Sequence, residues 1–249
     1  MNKFRAVAFD LDGTIYFGNS LAKGARQVIS ILEKRGVKIF YFTNNSTRTR
    51  SELRDKLINF GLQADLDNIY NCSYASSLYL KEHNIMNVCC IGTEGLQREV
   101  ALRGVNITGE NAEAVLVGMD PDFSYKSLAT ALHHIRKGAM LIACNRDRSY
   151  PVEGGNVLPG CGPLVASIEY AADVKAEYVV GKPNTYMIDL LSRDHGVNKD
   201  EIFVVGDSYE SDITMAIRYG CKSVLISNEN RQDTIVIREL RELPRIKFP

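Results

Sequence analysis

The stretch Ala6-Val7-Ala8-Phe9-Asp10-Leu11-Asp12-Gly13-Thr14 decides how this chain folds. Four apolar residues in succession suit a strand buried on both faces, as in a parallel sheet. The run stops at Asp10, a second carboxylate follows at Asp12, and Gly13 lets the backbone reverse. Working outward, residues 25–35 place Val28, Ile31 and Leu32 at helical spacing, with Gly36 as a stop. Residues 37–42 form a second apolar strand that ends at Thr43-Asn44-Asn45. Thr49 with Glu52 makes a capping box for a helix that turns Leu53, Leu57 and Phe60 inward and stops at Gly61. Strand, helix, strand, helix predicts βαβ units, an α/β fold and a parallel sheet.

The alternation continues with strands expected at 88–91, 114–117, 140–143, 177–180, 202–205 and 223–226. Helices are expected near 94–103, 124–137, 184–194 and 211–219. No low-complexity linker or charge block marks a boundary, so a second domain would have to be an insert, placed at 76–178. The 249 residues are 45% hydrophobic and 24% charged, and thirty Lys and Arg balance thirty Asp and Glu. That balance argues against nucleic acid or an anionic membrane as partner. No apolar run approaches the roughly 20 residues that span a bilayer. The chain enters its first strand from Met1-Asn2-Lys3-Phe4-Arg5 without a signal-peptide pattern. Six scattered cysteines lack a C-x-x-C pair and read as structural thiols of a reduced, cytoplasmic protein, with Cys89-Cys90 buried in a strand.

Four polar clusters each follow a predicted strand, where ligands bind in an open parallel sheet. They are Asp10-Leu11-Asp12-Gly13-Thr14, Thr43-Asn44-Asn45-Ser46, Gly181-Lys182-Pro183 and Gly206-Asp207-Ser208, with Asp212 five residues beyond Asp207. Paired carboxylates at a strand end suit an oxygen-loving cation such as Mg²⁺. Hydroxyl and amide groups ahead of a helix suit an anion. With Lys182 and a cation offsetting repulsion, one carboxylate is left to attack phosphorus. There is no P-loop and no Gly-x-Gly-x-x-Gly. Taken singly, Asp10-x-Asp12-Gly13 reads as a solvated turn, Thr43-Asn44 as a helix cap and Lys182 as a surface lysine. Asp212 reads equally as a helix-start charge. Four clusters in order, each behind a strand, reverse those readings. His83, His133, His134 and His195 fit no nucleophile–base pattern and are read as structural.

FDLDGT at 9–14, TNN at 43–45, GKP at 181–183 and GDSYESD at 206–212 resemble the four motifs of the haloacid-dehalogenase-like (HAD) phosphatases. The TNNS and GKPN forms, with PGCG at 159–162, are similar to the NagD/p-nitrophenylphosphatase branch. The resemblance implies a Rossmann-like core over 1–75 and 179–249 and an inserted α/β cap over 76–178. It implies Asp10 as nucleophile, forming an aspartyl-phosphate, and Asp12 as general acid and then base. Thr43, Asn44 and Lys182 would bind the phosphoryl group. Asp10, Asp12 through its carbonyl, and Asp207 would hold Mg²⁺, supported by Asp212. Asn145-Arg146-Asp147 stands where the branch carries Asn-Pro-Asp and is expected to face the substrate. The tail from Asn228 is short and charged, where the branch continues to a further strand and helix.

The expected activity is Mg²⁺-dependent hydrolysis of a small phosphomonoester, a sugar phosphate or nucleoside monophosphate, with specificity in the cap. The resemblance also allows a cap-mediated homodimer. A phosphotransferase or phosphomutase would use the same nucleophile, and a non-catalytic metabolite binder would need neither nucleophile nor acid. A dehalogenase also uses an aspartate, but the Asp12-Gly13-Thr14 acid and the cation cluster argue for phosphorus.

Overall fold

A computed structural model describes residues 4–151 and 156–246. The expected entry through Met1-Asn2-Lys3 lies outside the described residues. In chain order the elements are β1 (Ala6–Asp10), β2 (Tyr16–Phe17), β3 (Ser20–Leu21), α1 (Ala25–Lys34), β4 (Lys38–Thr43), α2 (Arg50–Asn59) and β5 (Ile69–Asn71). There follow α3 (Cys72–Glu82), β6 (Asn87–Ile91), α4 (Glu94–Leu102), β7 (Asn106–Ile107), β8 (Ala114–Val117), α5 (Tyr125–Arg136) and β9 (Met140–Ala143). Then come β10 (Ser149–Pro151), β11 (Val157–Pro159), α6 (Cys161–Ala172) and β12 (Tyr178–Val179). The chain closes with α7 (Tyr186–His195), β13 (Ile202–Gly206), α8 (Thr214–Tyr219), β14 (Lys222–Ile226) and β15 (Ile235–Ile237).

Two compact units divide these elements. The first comprises 1–43, 54–70 and 182–249; the second comprises 44–53 and 71–181. The first is built on a six-stranded sheet in the order β15-β14-β13-β1-β4-β5. The pairings of β1 with β13 and β4, of β13 with β14 and of β14 with β15 are all parallel. Every residue of β1 and β13 is buried, which is why both read as continuous apolar runs rather than alternating ones. The α1 helix buries Val28, Ile29 and Leu32, whereas Ile31, expected on that stripe, is exposed. The capping box ahead of α2 forms: Thr49 N donates to Glu52 Oε2 at 2.8 Å, and Glu52 N donates to Thr49 Oγ1 at 3.2 Å.

One feature of the tail differs from the expectation. The charged segment beyond Asn228 does contain a further strand, β15, paired to β14 through Val224↔Ile235 and Ile226↔Ile237, followed by a 3₁₀ turn at Leu240–Arg245. Ile235-Val236-Ile237 is only three β-branched residues between charged runs, but pairing with an existing sheet edge stabilises what would be too short alone. The segment expected as a helix at 211–219 begins instead as a π-helical turn, Tyr209–Ile213, before α8.

The second unit holds a five-stranded sheet in the order β12-β9-β8-β6-β7, parallel throughout. Its core includes Val115, Val117, Leu141, Val165 and Ile168, with Cys89 and Cys161 among them. None of the six cysteines, all among the described residues, is in a disulfide; Cys89 is buried as expected, whereas Cys90 is only partly so. The α3 helix packs on α4 and α5 on α6. Near the end of α6, buried Glu169 accepts both terminal nitrogens of Arg146 at 2.7 Å and the amide of Ala176 at 2.9 Å, with Lys175 at 3.5 Å. These donors, Arg146 first, lower the Glu169 carboxyl to about 2.

A depressed carboxyl stabilises the fold above its unfolded value near 4.5, and that contribution is lost as pH falls through the folded value near 2. Wild type is therefore expected to exceed Glu169→Gln in stability by up to about 3 kcal/mol at pH 7. The gap should narrow steadily below pH 4.5. Urea unfolding of both proteins at pH 7, 5 and 3.5 checks it; a gap that is constant with pH would contradict it.

Candidate active site

Strand register gathers the motif ends. Asp10 pairs opposite Phe42 of β4, and Phe9 opposite Val205 of β13. Asp10, Thr43 and Asp207 therefore leave three adjacent parallel strands at their carboxyl ends, the edge where such sheets bind ligands. Thr43 is buried.

Lys182 ties this edge together. Its Nζ donates to Asp10 Oδ1 and to Asp212 Oδ1, each at 2.6 Å, and its side chain is only 2% exposed. Burial works against the ammonium, but the charges of Asp10 and Asp212 outweigh it and raise the lysine above its ordinary range. Asp10 is raised well above the usual carboxylate range by burial; Lys182 pulls it down, while Asp212 and Asp207 add to the rise. Asp207 is exposed at its rim, yet the protein packed around its carboxyl group and the charge of Asp212 push it up to about 6.

Two glycines make room for these carboxylates. At Gly206 a Cβ would run into the carboxylate of Asp212, so only glycine lets Asp212 fold back against the strand end. The Asp212 Oδ2 accepts the Ser208 amide at 3.1 Å. At Gly13 the backbone is left-handed, with φ +97°, and a Cβ would run into the carboxylate of Asp207. Thr14 Oγ1 donates to Asp207 Oδ1 at 3.4 Å.

The donor set fits a divalent cation. Asp10, Asp207 and Asp212 each place a carboxylate oxygen within 4.8 Å of the others. Asp10 Oδ2 is buried and has no hydrogen-bond partner among the described residues, an atom that a cation would satisfy. Three carboxylates against one ammonium leave two formal negative charges, and all the ligands are hard oxygens. Asp12 sits in the opposite environment to Asp10. It is exposed, and its Oδ2 accepts the Tyr16 hydroxyl at 3.2 Å.

The remaining predicted residues lie in the second unit. Asn44 donates through Nδ2 to Asp147 Oδ1 at 3.0 Å, and its carbonyl accepts Asn145 Nδ2 at 2.8 Å. Asn145 Oδ1 in turn accepts the Asp147 amide at 3.0 Å. Residues 145 and 147 thus clasp Asn44, the residue bonded to Thr43. The guanidinium of Arg146 is engaged by Glu169 as described above. Sequence reading did not single out Tyr16, which looks like one more core residue after Ile15. Nor did it foresee that Asp212 would pair with Lys182. The spacing of Tyr16 four residues past Asp12, across a glycine turn, is the signal that was available.

A parallel sheet carrying a lysine-bound aspartate and a carboxylate cluster at its strand ends suits the chemistry of phosphoryl transfer. The sequence profile of the haloacid dehalogenase-like hydrolases matches residues 7–106, and a second HAD-hydrolase-like profile matches 179–242. The chain is 36% identical over 223 residues to the sugar-phosphatase AraL of Bacillus subtilis, covering 88% of this chain and 82% of that protein. It is 32% identical to the 5'-nucleotidase YutF of the same organism, covering 91% and 88%. The fold is similar to that of p-nitrophenyl phosphatase from Archaeoglobus fulgidus, with a TM-score of 0.91, 27% identity and coverage of 98% and 99%. The chain belongs to the haloacid dehalogenase-like hydrolases, in their NagD/p-nitrophenylphosphatase branch, and is a phosphatase.

Lys182→Met is expected to destabilise the metal-free protein by about 3–5 kcal/mol, because it strands two buried carboxylates. Gly206→Ala should cost about 1–3 kcal/mol through overpacking against Asp212. Urea midpoints test both, and a wild-type midpoint for Lys182→Met would show that the ion pairs carry no weight.

Proposed function

We propose that the protein hydrolyses small phosphomonoesters with Mg²⁺ through an aspartyl-phosphate on Asp10. The observation that carries this reading is the buried Asp10 carboxylate, held at Oδ1 by Lys182 and left without a partner at Oδ2. Mg²⁺ held by Asp10, the Asp12 carbonyl and Asp207, with Asp212 in support, would neutralise charge on the phosphoryl oxygens.

Lys182 favours the ionised form of Asp10 that attacks phosphorus, opposing the effect of burial. As the Asp10–phosphorus bond forms, the bond to the leaving oxygen breaks and Asp12 gives that oxygen a proton. Asp12 then takes a proton from water, the water oxygen bonds to phosphorus, and the bond to Asp10 breaks to release inorganic phosphate. The two carboxylates suit these roles because one is buried beside a lysine and the other is exposed. Thr43, Lys182 and backbone amides near Asn44 would bind the phosphoryl group.

We assign residues 1–75 and 179–249 to the catalytic core and 76–178 to a cap that selects the leaving group. Asn145, Arg146 and Asp147 enter this reading as residues that shape the loop at Asn44. The names of AraL and YutF support a sugar phosphate or nucleoside monophosphate as substrate. The balanced net charge supports a small metabolite rather than nucleic acid as partner. Among the described residues no helix is long and apolar enough to cross a membrane. We place the protein in the cytoplasm, for which six free thiols speak, and propose a cap-mediated homodimer.

The test is phosphate release from sugar phosphates, nucleoside monophosphates, glycerol phosphate and p-nitrophenyl phosphate, with and without Mg²⁺. Wild type should release phosphate only with Mg²⁺, and Asp10→Asn should lose roughly 10³-fold or more. Release that survives in Asp10→Asn would overturn the nucleophile. Phosphate appearing only on an added alcohol would mark a phosphotransferase.

A further inference from the structure

At the strand ends a buried side chain, Tyr16, touches the proposed acid–base, Asp12. After β1 the chain closes a tight turn on itself. Gly13 N donates to the Tyr16 carbonyl at 2.8 Å, while the amides of Ile15 and Tyr16 both donate to the Leu11 carbonyl, at 2.9 and 3.1 Å. The turn returns Tyr16 to Asp12, and the Tyr16 hydroxyl donates to Asp12 Oδ2 at 3.2 Å. The two partners differ sharply in freedom. Asp12 is exposed, whereas Tyr16 is 1% exposed and wedged in the core. Its ring packs against Phe60 with centroids 5.6 Å apart, and the Lys56 ammonium lies 3.6 Å above the ring centroid.

We propose that Tyr16 is a positioning residue that anchors Asp12 and dictates which of its oxygens carries the proton. This rests on the reading of Asp12 as general acid and base. An exposed aspartate rotates between rotamers, so an acid that must meet a leaving oxygen gains from a fixed anchor. The Tyr16 ring cannot move, and its hydroxyl occupies Oδ2. The transferable proton therefore sits on Oδ1. In the first half-reaction that proton passes from Oδ1 to the leaving oxygen, and the O–H electron pair stays on Asp12. The carboxylate so formed keeps the Tyr16 hydrogen bond, which is stronger to a charged acceptor than to a neutral one. In the second half-reaction Oδ1 takes the proton back from water. Tyr16 gives up no proton in either step. The Lys56 cation over the ring draws electron density from the phenol and makes its O–H a better donor.

Tyr16→Phe removes only the hydroxyl and keeps the ring between Phe60 and Lys56. Lys56→Met, at a half-buried position, keeps the hydroxyl and removes the cation. The readout is the single-turnover rate of the phosphorylation half-reaction, with Mg²⁺, on an alkyl ester (glycerol phosphate) and an aryl ester (p-nitrophenyl phosphate). An alkoxide needs the proton from Asp12 far more than p-nitrophenolate does. Tyr16→Phe should slow the alkyl ester about tenfold more than the aryl ester, a fraction of what general acid catalysis supplies, with KM within about twofold. Lys56→Met should move the same ratio in the same direction by about two- to threefold. An alkyl-to-aryl ratio unchanged in both variants, or an equal loss on both esters, overturns the proposal, provided Asp12→Asn is inactive. Full activity in Asp12→Asn would instead overturn the acid–base reading beneath it. A merely structural role for the hydroxyl would lower stability without moving the ratio.

Discussion

Burying a lysine ammonium costs several kcal/mol unless charge is waiting for it, and Lys182 meets two carboxylates at 2.6 Å. Much of the first unit's geometry follows from that demand. Asp10 must end β1 at the sheet's carboxyl edge, Asp212 must fold back from the turn after β13, and Gly206 must lack a side chain for it to do so. The arrangement is also unfinished as electrostatics. Lys182 satisfies one oxygen of each partner, Asp207 adds a third carboxylate, and Asp10 Oδ2 is buried with no donor among the described residues. A site that is structurally tied yet carries two formal negative charges in excess suits a cation, which would in turn offset the charge of a phosphoryl group.

The paired roles proposed for Asp10 and Asp12 rest on a contrast in their surroundings. Two residues apart on one turn, they point into environments of opposite kind. Asp10 faces burial and an ammonium, Asp12 faces solvent and a phenolic hydroxyl. In the proposed reaction that contrast suits one carboxylate to attack and the other to proton transfer, without any difference in residue type. In the second unit the same economy appears at Asn44. Its side chain and carbonyl are clasped by residues 145 and 147, about a hundred positions away in sequence, while the charge of Arg146 is absorbed by Glu169.

The alternation of strands and helices over the first sixty residues was legible because β1 and β4 are continuous apolar runs and α1 sets Val28 and Leu32 one turn apart, although Ile31 lies outside the buried stripe. The four polar clusters were legible because each stands immediately behind such a run. Other elements were not. The α3 helix buries Ser73, Ser76 and Ser77 beside Cys72 and Leu80, so no apolar stripe betrays it. The β15 strand has only three apolar residues and depends on β14 for its pairing. The ion pairs of Lys182 join residues 172 and 30 positions apart, a juxtaposition that local pattern cannot show. Tyr16 escaped notice because burial, the property that makes it an anchor, is also what makes it look like ordinary core.

The central claim is that the surplus of negative charge at the strand ends is a cation site built around Asp10 and Asp207. The most direct measurement is the urea unfolding midpoint with and without millimolar Mg²⁺, for wild type and Asp207→Asn, with no substrate present. Binding to the folded state alone must raise its stability. The account predicts a midpoint that rises with Mg²⁺ in wild type and stays in place in Asp207→Asn. An equal rise in both proteins, or none in wild type, would contradict it.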